Sequence, residues 1–295
     1  MPRVLNMGSI NIDYVYSVPH IVRGGETLSA ASRRIFPGGK GMNQSVALAR
    51  AGGSVTHAGM IGEDGKHLFK IMQNDGVDIG LISIGKEPTG HAIIQVNEDG
   101  QNSILLFPGA NQEINESFVD KALASFEKDD ILILQNEVSC ISYAIRAAKA
   151  KGMTIAFNPS PFGAEIADYP LDLVDIWLLN EIEGQALTDM TQPSDILNAM
   201  GQKYPCAIIV LTLGSAGVLC LHKGKVLKQI GKKVKVQDTT AAGDTFTGYF
   251  IACLTRGLGI NESLMYANTA ASVSVGRNGA AVSIPLWDEV MGGCE

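Results

Sequence analysis

The stretch from Gln237 to Phe246 combines small residues with two aspartates at the start of an expected helix. Residues 233–237 predict a strand that leads into it, and residues 245–258 predict a helix that leads out. Small residues let the backbone approach a ligand, and unpaired amides at a helix N-terminus attract negative charge. Asp244 lies in the first turn, where a carboxylate is stabilised and could accept a proton. The combination suits phosphoryl transfer to a hydroxyl, although a helix merely capped by Asp238 or Asp244 has the same pattern.

A second polar set surrounds the glycine-rich loop at residues 38–41, which precedes a predicted helix at residues 42–50. The loop is not a Walker A motif, because no Gly-Lys pair in this chain is followed by Ser or Thr, and no dinucleotide fingerprint follows a strand. Asn11, Asp13 and Asn43 together supply the donors and acceptors that sugar hydroxyls need. A plain glycine turn before a helix is the alternative interpretation.

Two further polar segments follow apolar runs that predict buried strands. Residues 180–183, Asn-Glu-Ile-Glu, come directly after the run at residues 176–179. Ligands bind at the carboxyl ends of parallel strands, and an amide with carboxylates suits Mg²⁺ held largely through water. The alternative is an ordinary helix start with acidic residues in its first turn. Thr212 and Gly214 follow the run at residues 207–211 in the same way and offer a hydroxyl and a glycine for phosphate.

The elements that must position these residues alternate between strand-like and helical runs. This alternation predicts an α/β fold with a Rossmann-like, mainly parallel sheet and helices on both faces. Residues 91–97 and 103–107 interrupt the alternation and predict a hairpin. With strands between residues 14 and 35, including one at 27–35, the hairpin predicts a small separate sheet that could act as a lid. We therefore expect a single domain over residues 1–295, with lid segments at about 12–36 and 90–108.

Composition narrows the classes of function. The formal net charge is −7, which argues against a nucleic-acid-binding surface. No run approaches 18 apolar residues, so we expect no membrane span, and the N-terminus lacks an apolar signal core, so we expect a cytoplasmic protein. The cysteines are odd in number and form no C-x-x-C pair, which predicts reduced thiols and neither a disulfide framework nor a zinc site. They are Cys140, Cys206, Cys220, Cys253 and Cys294.

Taken together, these motifs resemble those of the ribokinase family of sugar kinases, the PfkB superfamily, nearly from end to end. Residues 238–244 are similar to its second signature, which is the most specific of the set, and residues 38–44 to its first. The other similar segments follow in family order: residues 8–13, 108–111, 158–161, 180–183 and 212–214.

The resemblance implies ATP-dependent phosphorylation of the primary hydroxyl of a neutral sugar, with D-ribose first. Asp244 would be the base, and the amides of Ala241, Ala242, Gly243 and Asp244 would form an anion hole. The sugar would be held by Asn11, Asp13, Gly39, Lys40, Asn43, Glu137 and Asp244. The nucleotide and its phosphates would contact Asn180, Thr212, Gly214, Gly243 and Asn268.

The resemblance also implies two cations and a partner. Glu183, with Asn180, would serve Mg²⁺, and a K⁺ site would use Asp238, Thr240, Gly279 and Ser283. The lid would also form a homodimer interface. His91 and Asn136 depart from the family pattern, and they leave the exact sugar open. The alternatives are a kinase of 2-deoxyribose, fructose, a nucleoside or a phosphorylated hexose, or a non-catalytic sugar or nucleotide sensor on the same fold.

Overall fold

The computed structural model describes residues 1–293, so the predicted thiol of Cys294 lies outside the described part. The strands in this part are β1 Val4–Met7, β2 Asn11–Ser17, β3 Ser32–Gly38, β4 Val55–Ile61, β5 Asp78–Ile84, β6 Gly90–Val96, β7 Asn102–Phe107, β8 Ile131–Gln135, β9 Thr154–Asn158, β10 Ile176–Asn180, β11 Ile208–Thr212, β12 Gly217–His222 and β13 Lys225–Ile230.

Nine of these strands form one sheet in the order β13-β12-β11-β10-β9-β8-β1-β4-β5. The pairs from β11 through to β5 are parallel, whereas β12 and β13 form an antiparallel hairpin at one edge. The predicted mainly parallel sheet is therefore confirmed. Since the carboxyl ends of parallel strands meet at one edge, the polar residues that follow β1, β8, β9, β10 and β11 are brought to the same side.

The helices in the described part are α1 Lys40–Arg50, α2 His67–Asn74, α3 Glu116–Leu123, α4 Ile141–Ala150, α5 Glu181–Thr188, α6 Pro193–Lys203, α7 Ala242–Thr255, α8 Ile260–Ser274 and α9 Trp287–Gly292. Within residues 1–293, no helix has the length and apolar character that crossing a membrane would require.

Alternate residues of the large sheet pack against different helices. In β8, Ile131 and Ile133 belong to a core with side chains of α1, α2, α7 and α8, whereas Leu132 and Leu134 belong to a core with α3, α4 and α6. A strand that buries both faces needs an unbroken apolar run, as β8 has. Helices therefore cover both faces of the sheet, as predicted.

The remaining four strands form the predicted small sheet, in the order β3-β2-β6-β7. The hairpin of β6 and β7 is antiparallel as expected, and β2 joins it in parallel register. The predicted strand at residues 27–35 is displaced, because β3 runs from Ser32 to Gly38. Its pairing with β2 extends as far as Asn11 and Gly38, next to the glycine-rich loop.

The predicted strand at residues 233–237 is wrong. Gly231 donates its backbone N–H to Ala216 O at 3.2 Å, and the chain then leaves β13, which is the last strand of the sheet. Gln237 donates its N–H to Val275 O at 2.8 Å, beside the end of α8. The alternation of lysine and valine gives this segment a strand-like pattern, but no strand within residues 1–293 pairs with it.

Two glycines allow α1 to lie very close to its neighbours. A methyl group at Gly248 of α7 would lie 2.6 Å from Gln44 O, and one at Gly41 would lie 2.6 Å from Gly8 Cα. Real Cβ contacts are longer than this, so both positions need glycine. The close approach brings Asn43 and Gln44 of α1 against the first turn of α7.

Candidate active site

The first turn of α7 opens onto a cavity of about 300 Å³. Ala241, the residue before the helix, has a left-handed conformation with φ 59° and ψ 12°, and such a conformation is uncommon for a residue with a side chain. It turns the chain sharply and leaves the first amides of the helix without intrahelical acceptors. A methyl group at Gly243 would meet no atom within 4 Å. The cavity lining includes Lys40, Asn158, Asn180, Glu183, Thr212, Gly214, Thr239, Ala241, Ala242, Gly243 and Asp244.

Asp244 is held by two side-chain amides of α1. The residue as a whole is 6 % exposed. Its Oδ2 accepts a hydrogen bond from Asn43 Nδ2 at 3.1 Å, and its Oδ1 accepts one from Gln44 Nε2 at 3.0 Å. Asn43 Oδ1 is buried and has no hydrogen-bond partner among residues 1–293. An unpartnered buried acceptor beside a carboxylate is a place where a hydroxyl of a ligand would bind.

Glu137 and Lys40 lie next to Asp244. Glu137 Oε2 accepts hydrogen bonds from the Lys40 backbone N–H at 3.0 Å and from Ser9 Oγ. Burial raises the pKa of Glu137, although the charge of Lys40 and the two hydrogen bonds oppose this. Burial alone would lower the pKa of Lys40, but the surrounding carboxylates of Asp244, Glu137 and Glu183 outweigh it and raise that pKa. Lys40 is therefore a cation among carboxylates.

Asn11 and Asp13 are two residues apart in β2, so their side chains lie on the same face of that strand. Asn11 Oδ1 accepts a hydrogen bond from Asn111 Nδ2 at 2.8 Å. The carboxyl group of Asp13 lies against Gly38, where any side chain would collide with it. Burial, followed by the charges of Glu137 and Asp244, raises the pKa of Asp13 from 3.8 to about 7.

Asn180 and Glu183 stand at the end of β10, where they form a capping box at the start of α5. Asn180 Oδ1 accepts from the Glu183 N–H at 3.0 Å, and Glu183 Oε2 accepts from the Asn180 N–H at 3.0 Å. Both residues also line the cavity. The helix-start interpretation is thus correct, and it leaves a buried carboxylate at the cavity wall. Thr212 Oγ1 donates to Leu179 O at 3.3 Å, and Gly214 has a positive φ of 52°.

The residues expected around K⁺ lie on two loops that Asp238 joins. Its Oδ1 accepts from the Thr240 N–H and hydroxyl at 2.9 and 2.6 Å, and its Oδ2 accepts from the Gly279 N–H at 2.9 Å. Burial would raise the pKa of Asp238, but these hydrogen bonds and the charge of Arg34 outweigh it and lower that pKa. Ser283 is buried, and its hydroxyl donates to Ala280 O at 2.8 Å.

Among residues 1–293, no three His, Cys, Asp or Glu side chains are arranged as ligands of one metal ion. Asn268 stands apart from the other expected nucleotide contacts. Its Nδ2 donates to Ile230 O at 2.8 Å, and the residue is absent from the lining of the cavity.

His91 and Asn136, the two departures from the family pattern, lie in different parts of the structure. His91 lies on β6, with its ring 5.1 Å from Phe107 and 6.0 Å from Tyr14, centroid to centroid. Asn136 follows β8, donates to Glu165 Oε1 at 2.7 Å and accepts from Tyr169 OH at 2.8 Å.

The sequence interpretation gave no role to Gln44, Asn158 or Gln135, although all three meet near Asp244. Gln44 Nε2 donates to Asn158 Oδ1 at 3.1 Å, and Gln135 Nε2 donates to Gln44 Oε1 at 2.7 Å. Two of them could have been suspected: Gln44 ends the first signature, and Asn158 opens the segment at residues 158–161. Gln135 had no such signal, because it is the last residue of an apolar strand.

Comparisons with known proteins decide the family. The model of the pfkB family carbohydrate kinases matches residues 1–287. The chain belongs to this family. It is 37 % identical over 294 residues to the ribokinase of Haemophilus influenzae, covering 97 % of this chain and 96 % of that protein. The similarity of this carbohydrate kinase to its family therefore extends over nearly all of the given sequence and includes the expected motifs.

Solved structures agree with the sequence comparison. The ribokinase of Cryptococcus neoformans in complex with ADP has a TM-score of 0.86 and 33 % identity, with 99 % of this kinase and 100 % of that chain covered. The ribokinase of Arabidopsis thaliana complexed with ribose and ATP has a TM-score of 0.88 and 30 % identity, with 100 % and 99 % covered. The kinase thus shares both sequence and fold with ribokinases.

Proposed function

We propose that this kinase transfers the γ-phosphoryl group of ATP to the primary hydroxyl of a neutral sugar, with D-ribose as the first candidate. One observation carries the proposal. Asp244 is buried at the edge of the cavity, and next to it Asn43 Oδ1 is an acceptor without a partner. The solved structures with ADP, and with ribose and ATP, support nucleotide and sugar as the two ligands.

In this proposal the sugar hydroxyl gives its proton to Asp244 while its oxygen attacks the γ-phosphorus in line. The first amides of α7, at residues 241–244, donate to the phosphoryl oxygens, where negative charge develops. Lys40 places its positive charge within range of Asp244 and Glu183, between the base and the phosphate side of the cavity. Such an arrangement supplies positioning and charge stabilisation, which are the main needs of phosphoryl transfer.

The charge of the sugar region favours a neutral substrate. Asp13, Glu137 and Asp244 act on one another electrostatically, and Lys40 is the only cation among the expected sugar contacts. A phosphate on the sugar would need arginine or lysine partners. Carboxylates repel phosphate and accept hydrogen bonds from hydroxyls, so we assign a free sugar to this region. Asn11, Gly39 and Asn43 complete the set of sugar contacts.

We infer that Mg²⁺ is held at Asn180 and Glu183 through water. The donor chemistry fits, since Glu183 offers a buried carboxylate at the cavity wall. Both carboxylate oxygens already accept hydrogen bonds from Asn180, which favours bridging water over direct ligation. When bound, the ion would neutralise part of the negative charge on the phosphate groups. Thr212, Gly214 and Gly243 would line the rest of the phosphate region, with Asn268 toward the base of the nucleotide.

We infer that K⁺ binds between the loops that carry Asp238, Thr240, Gly279 and Ser283. These residues offer oxygen ligands only, and the Asp238–Gly279 hydrogen bond already holds the two loops together. An ion there would fix the backbone that leads into Ala241. Turnover in K⁺ should exceed turnover in Na⁺ at matched ionic strength, and equal rates in the two salts would contradict the inference.

We further propose that the four-stranded sheet is a lid over the sugar and that two copies of the chain join through it. A row of apolar side chains crosses the whole sheet: Ile35 is opposite Tyr14, Tyr14 opposite Ile93, and Ile93 opposite Leu105. Ile35 and Leu105 are 50 % and 68 % exposed. Exposed apolar rows of this kind usually mark an interface. The rest of the chain would form one domain with this lid.

The experiment that tests the proposed function measures ADP release with D-ribose, ATP and Mg²⁺ in the wild type and in Asp244→Asn. General-base help is worth about 10²–10⁴-fold in rate, so the variant should lose at least about 100-fold in turnover while it keeps its fold and binds ATP. Near-native turnover of Asp244→Asn would show that Asp244 is not the base. A wild type that released no ADP above background would instead return the sensor interpretation to consideration.

A further inference from the structure

The side chain of Gln44 is fully buried and points its amide nitrogen at the expected base. An amide can exchange the places of its nitrogen and oxygen without a change of shape. In the exchanged orientation an oxygen would face the Asp244 carboxylate and repel it. The hydrogen bonds around Gln44 therefore decide whether it supports Asp244 or opposes it.

One set of contacts fixes this orientation from the sheet side. Asn6 Nδ2 donates to Gly41 O at 2.9 Å, and because a carbonyl only accepts, Asn6 must turn its Oδ1 to Gln135. Gln135 Nε2 then donates to Asn6 Oδ1 at 2.9 Å and to Gln44 Oε1 at 2.7 Å. The oxygen of Gln44 is thereby occupied, and its nitrogen is left to face Asp244.

The same series continues away from the site and ends on another carbonyl. Ser45 Oγ lies 2.8 Å from both Asn6 Nδ2 and His57 Nδ1, and His57 Nε2 lies 3.2 Å from Gly8 O. Since Gly8 O only accepts, Nε2 carries the ring proton. Burial lowers the pKa of His57 to about 4, so Nδ1 is the acceptor of the Ser45 proton and Ser45 Oγ accepts from Asn6. Each hydrogen bond in this series therefore has only one possible donor and one possible acceptor.

A second, independent contact fixes Gln44 from the other side. Asn158 Nδ2 donates to Leu178 O at 2.8 Å, which turns Asn158 Oδ1 toward Gln44 Nε2 at 3.1 Å. Two backbone carbonyls on different elements, Gly41 O in α1 and Leu178 O in β10, thus require the same orientation of one amide. Asn6, Gln44, Ser45, His57 and Gln135 are all fully buried, so water does not compete for the bonds among these five side chains.

We propose that Gln44 is a positioning residue for phosphoryl transfer, oriented by Gln135 and Asn6, and that it holds the Asp244 carboxylate fixed in the first turn of α7. This inference rests on the proposed role of Asp244 as the base. The other charges that face Asp244 are Lys40 from α1, Glu137 after β8 and Asp13 from β2. They remain when Gln44 is replaced, so its own contribution can be measured.

The test compares Gln44→Met, Gln135→Met and the double variant with D-ribose and ATP as substrates. A hydrogen bond to a charged group is typically worth about a 10- to 100-fold change in an equilibrium or rate. Gln44→Met should lower kcat by about that factor, leave KM for ATP unchanged, and move the acid limb of the kcat/KM profile to higher pH, because the ionised base loses a donor. Gln135→Met should change both quantities in the same direction.

The double variant separates positioning from general damage. Because Gln135 influences Asp244 only through Gln44, the double variant should be no slower than Gln44→Met alone. Ile145→Ala, in the core on the opposite face of the sheet, is the control for lost stability and should leave the pH profile unmoved. If Gln135→Met does not fold, Gln135→Glu keeps the shape but offers only acceptors, so it should turn the Gln44 oxygen toward Asp244 and lower kcat likewise.

The outcomes are distinguishable from those of the proposed function. An unmoved pH profile with native kcat in Gln44→Met, or losses that add in the double variant, would overturn the positioning role. If Asp244→Asn is inactive while Gln44→Met is native, only this inference fails. If Asp244→Asn keeps near-native turnover, the role of Asp244 fails, and with it the basis of this inference.

Discussion

Asp13 shows at the scale of one residue how a binding site costs stability. Its carboxyl group is buried near Glu137 and Asp244, and the fold raises its pKa from 3.8 to about 7. Between these two values the folded state binds more protons than the unfolded state. The free energy of unfolding therefore falls as the pH rises from about 4 to 7, and it stays level above pH 7 as far as Asp13 is concerned.

Asp13→Asn removes this cost, so the variant should be more stable than the wild type by an amount that grows between pH 4 and 7 and reaches up to about 4 kcal/mol. Urea unfolding of the ligand-free protein at several pH values measures the difference. Asp99→Asn, at an exposed position beside the same small sheet, is the control and should show no such growth. Parallel curves for Asp13→Asn and the wild type would contradict the account.

At the scale of elements, two glycines of α7 should behave oppositely. Gly243→Ala adds a methyl group that meets no protein atom and faces the cavity. It should keep or raise stability by up to about 1 kcal/mol, because alanine favours a helix. It should nevertheless lower turnover roughly tenfold or more, since small displacements of a bound phosphate are costly.

Gly248→Ala on the same helix is the matched comparison. Its methyl group would lie 2.6 Å from Gln44 O, so α1 and α7 must separate. We expect a loss of about 1–3 kcal/mol in the free energy of unfolding, as for other overpacked sites, together with lower turnover. Thermal unfolding and kcat of both variants decide the matter. Equal stability of the two variants, or native turnover of Gly243→Ala, would show that α7 is not placed as described.

The sequence predicted a strand or helix correctly where residues close together in the chain are enough to determine it. The unbroken apolar run of β8 and the glycine-rich start of α1 are of this kind, and so is the start of α3, where Asn115 Oδ1 accepts from the Phe118 N–H at 3.0 Å. Residues 233–237 misled because strand formation needs a neighbouring strand, which the sequence of the segment does not report.

The candidate site was predictable in its composition and not in its contacts. Asp244, Asn43 and Glu183 stand in recognisable motifs, so their grouping at one edge of the sheet follows from the parallel topology. The contact of Gln135 with Gln44 joins residues 91 positions apart and depends on how α1 crosses the sheet. No pattern in either segment specifies that crossing.

At the scale of the whole molecule, the small sheet should control assembly. Leu105→Lys places a charge in the exposed apolar row of the sheet and should shift a dimer to monomers in size-exclusion chromatography with light scattering. Val226→Lys makes the same change on β13, at the edge of the large sheet, where Val226 is 57 % exposed, and should leave the dimer intact. A wild type that is monomeric at micromolar concentration, or a dimeric Leu105→Lys, would contradict the proposed interface.

The central claim is that this kinase phosphorylates a neutral sugar, and competition tests it most directly. D-ribose, 2-deoxyribose, fructose and fructose 6-phosphate are offered together at equal concentration with ATP, Mg²⁺ and K⁺, and the products are quantified by mass spectrometry. The carboxylates of Asp13 and Glu137 predict that ribose is phosphorylated in preference, since buried acceptors left unpaired by a missing hydroxyl cost about 1–3 kcal/mol. Preference for fructose would keep the charge argument and move the enzyme to a neighbouring subfamily. Preference for fructose 6-phosphate would contradict the claim.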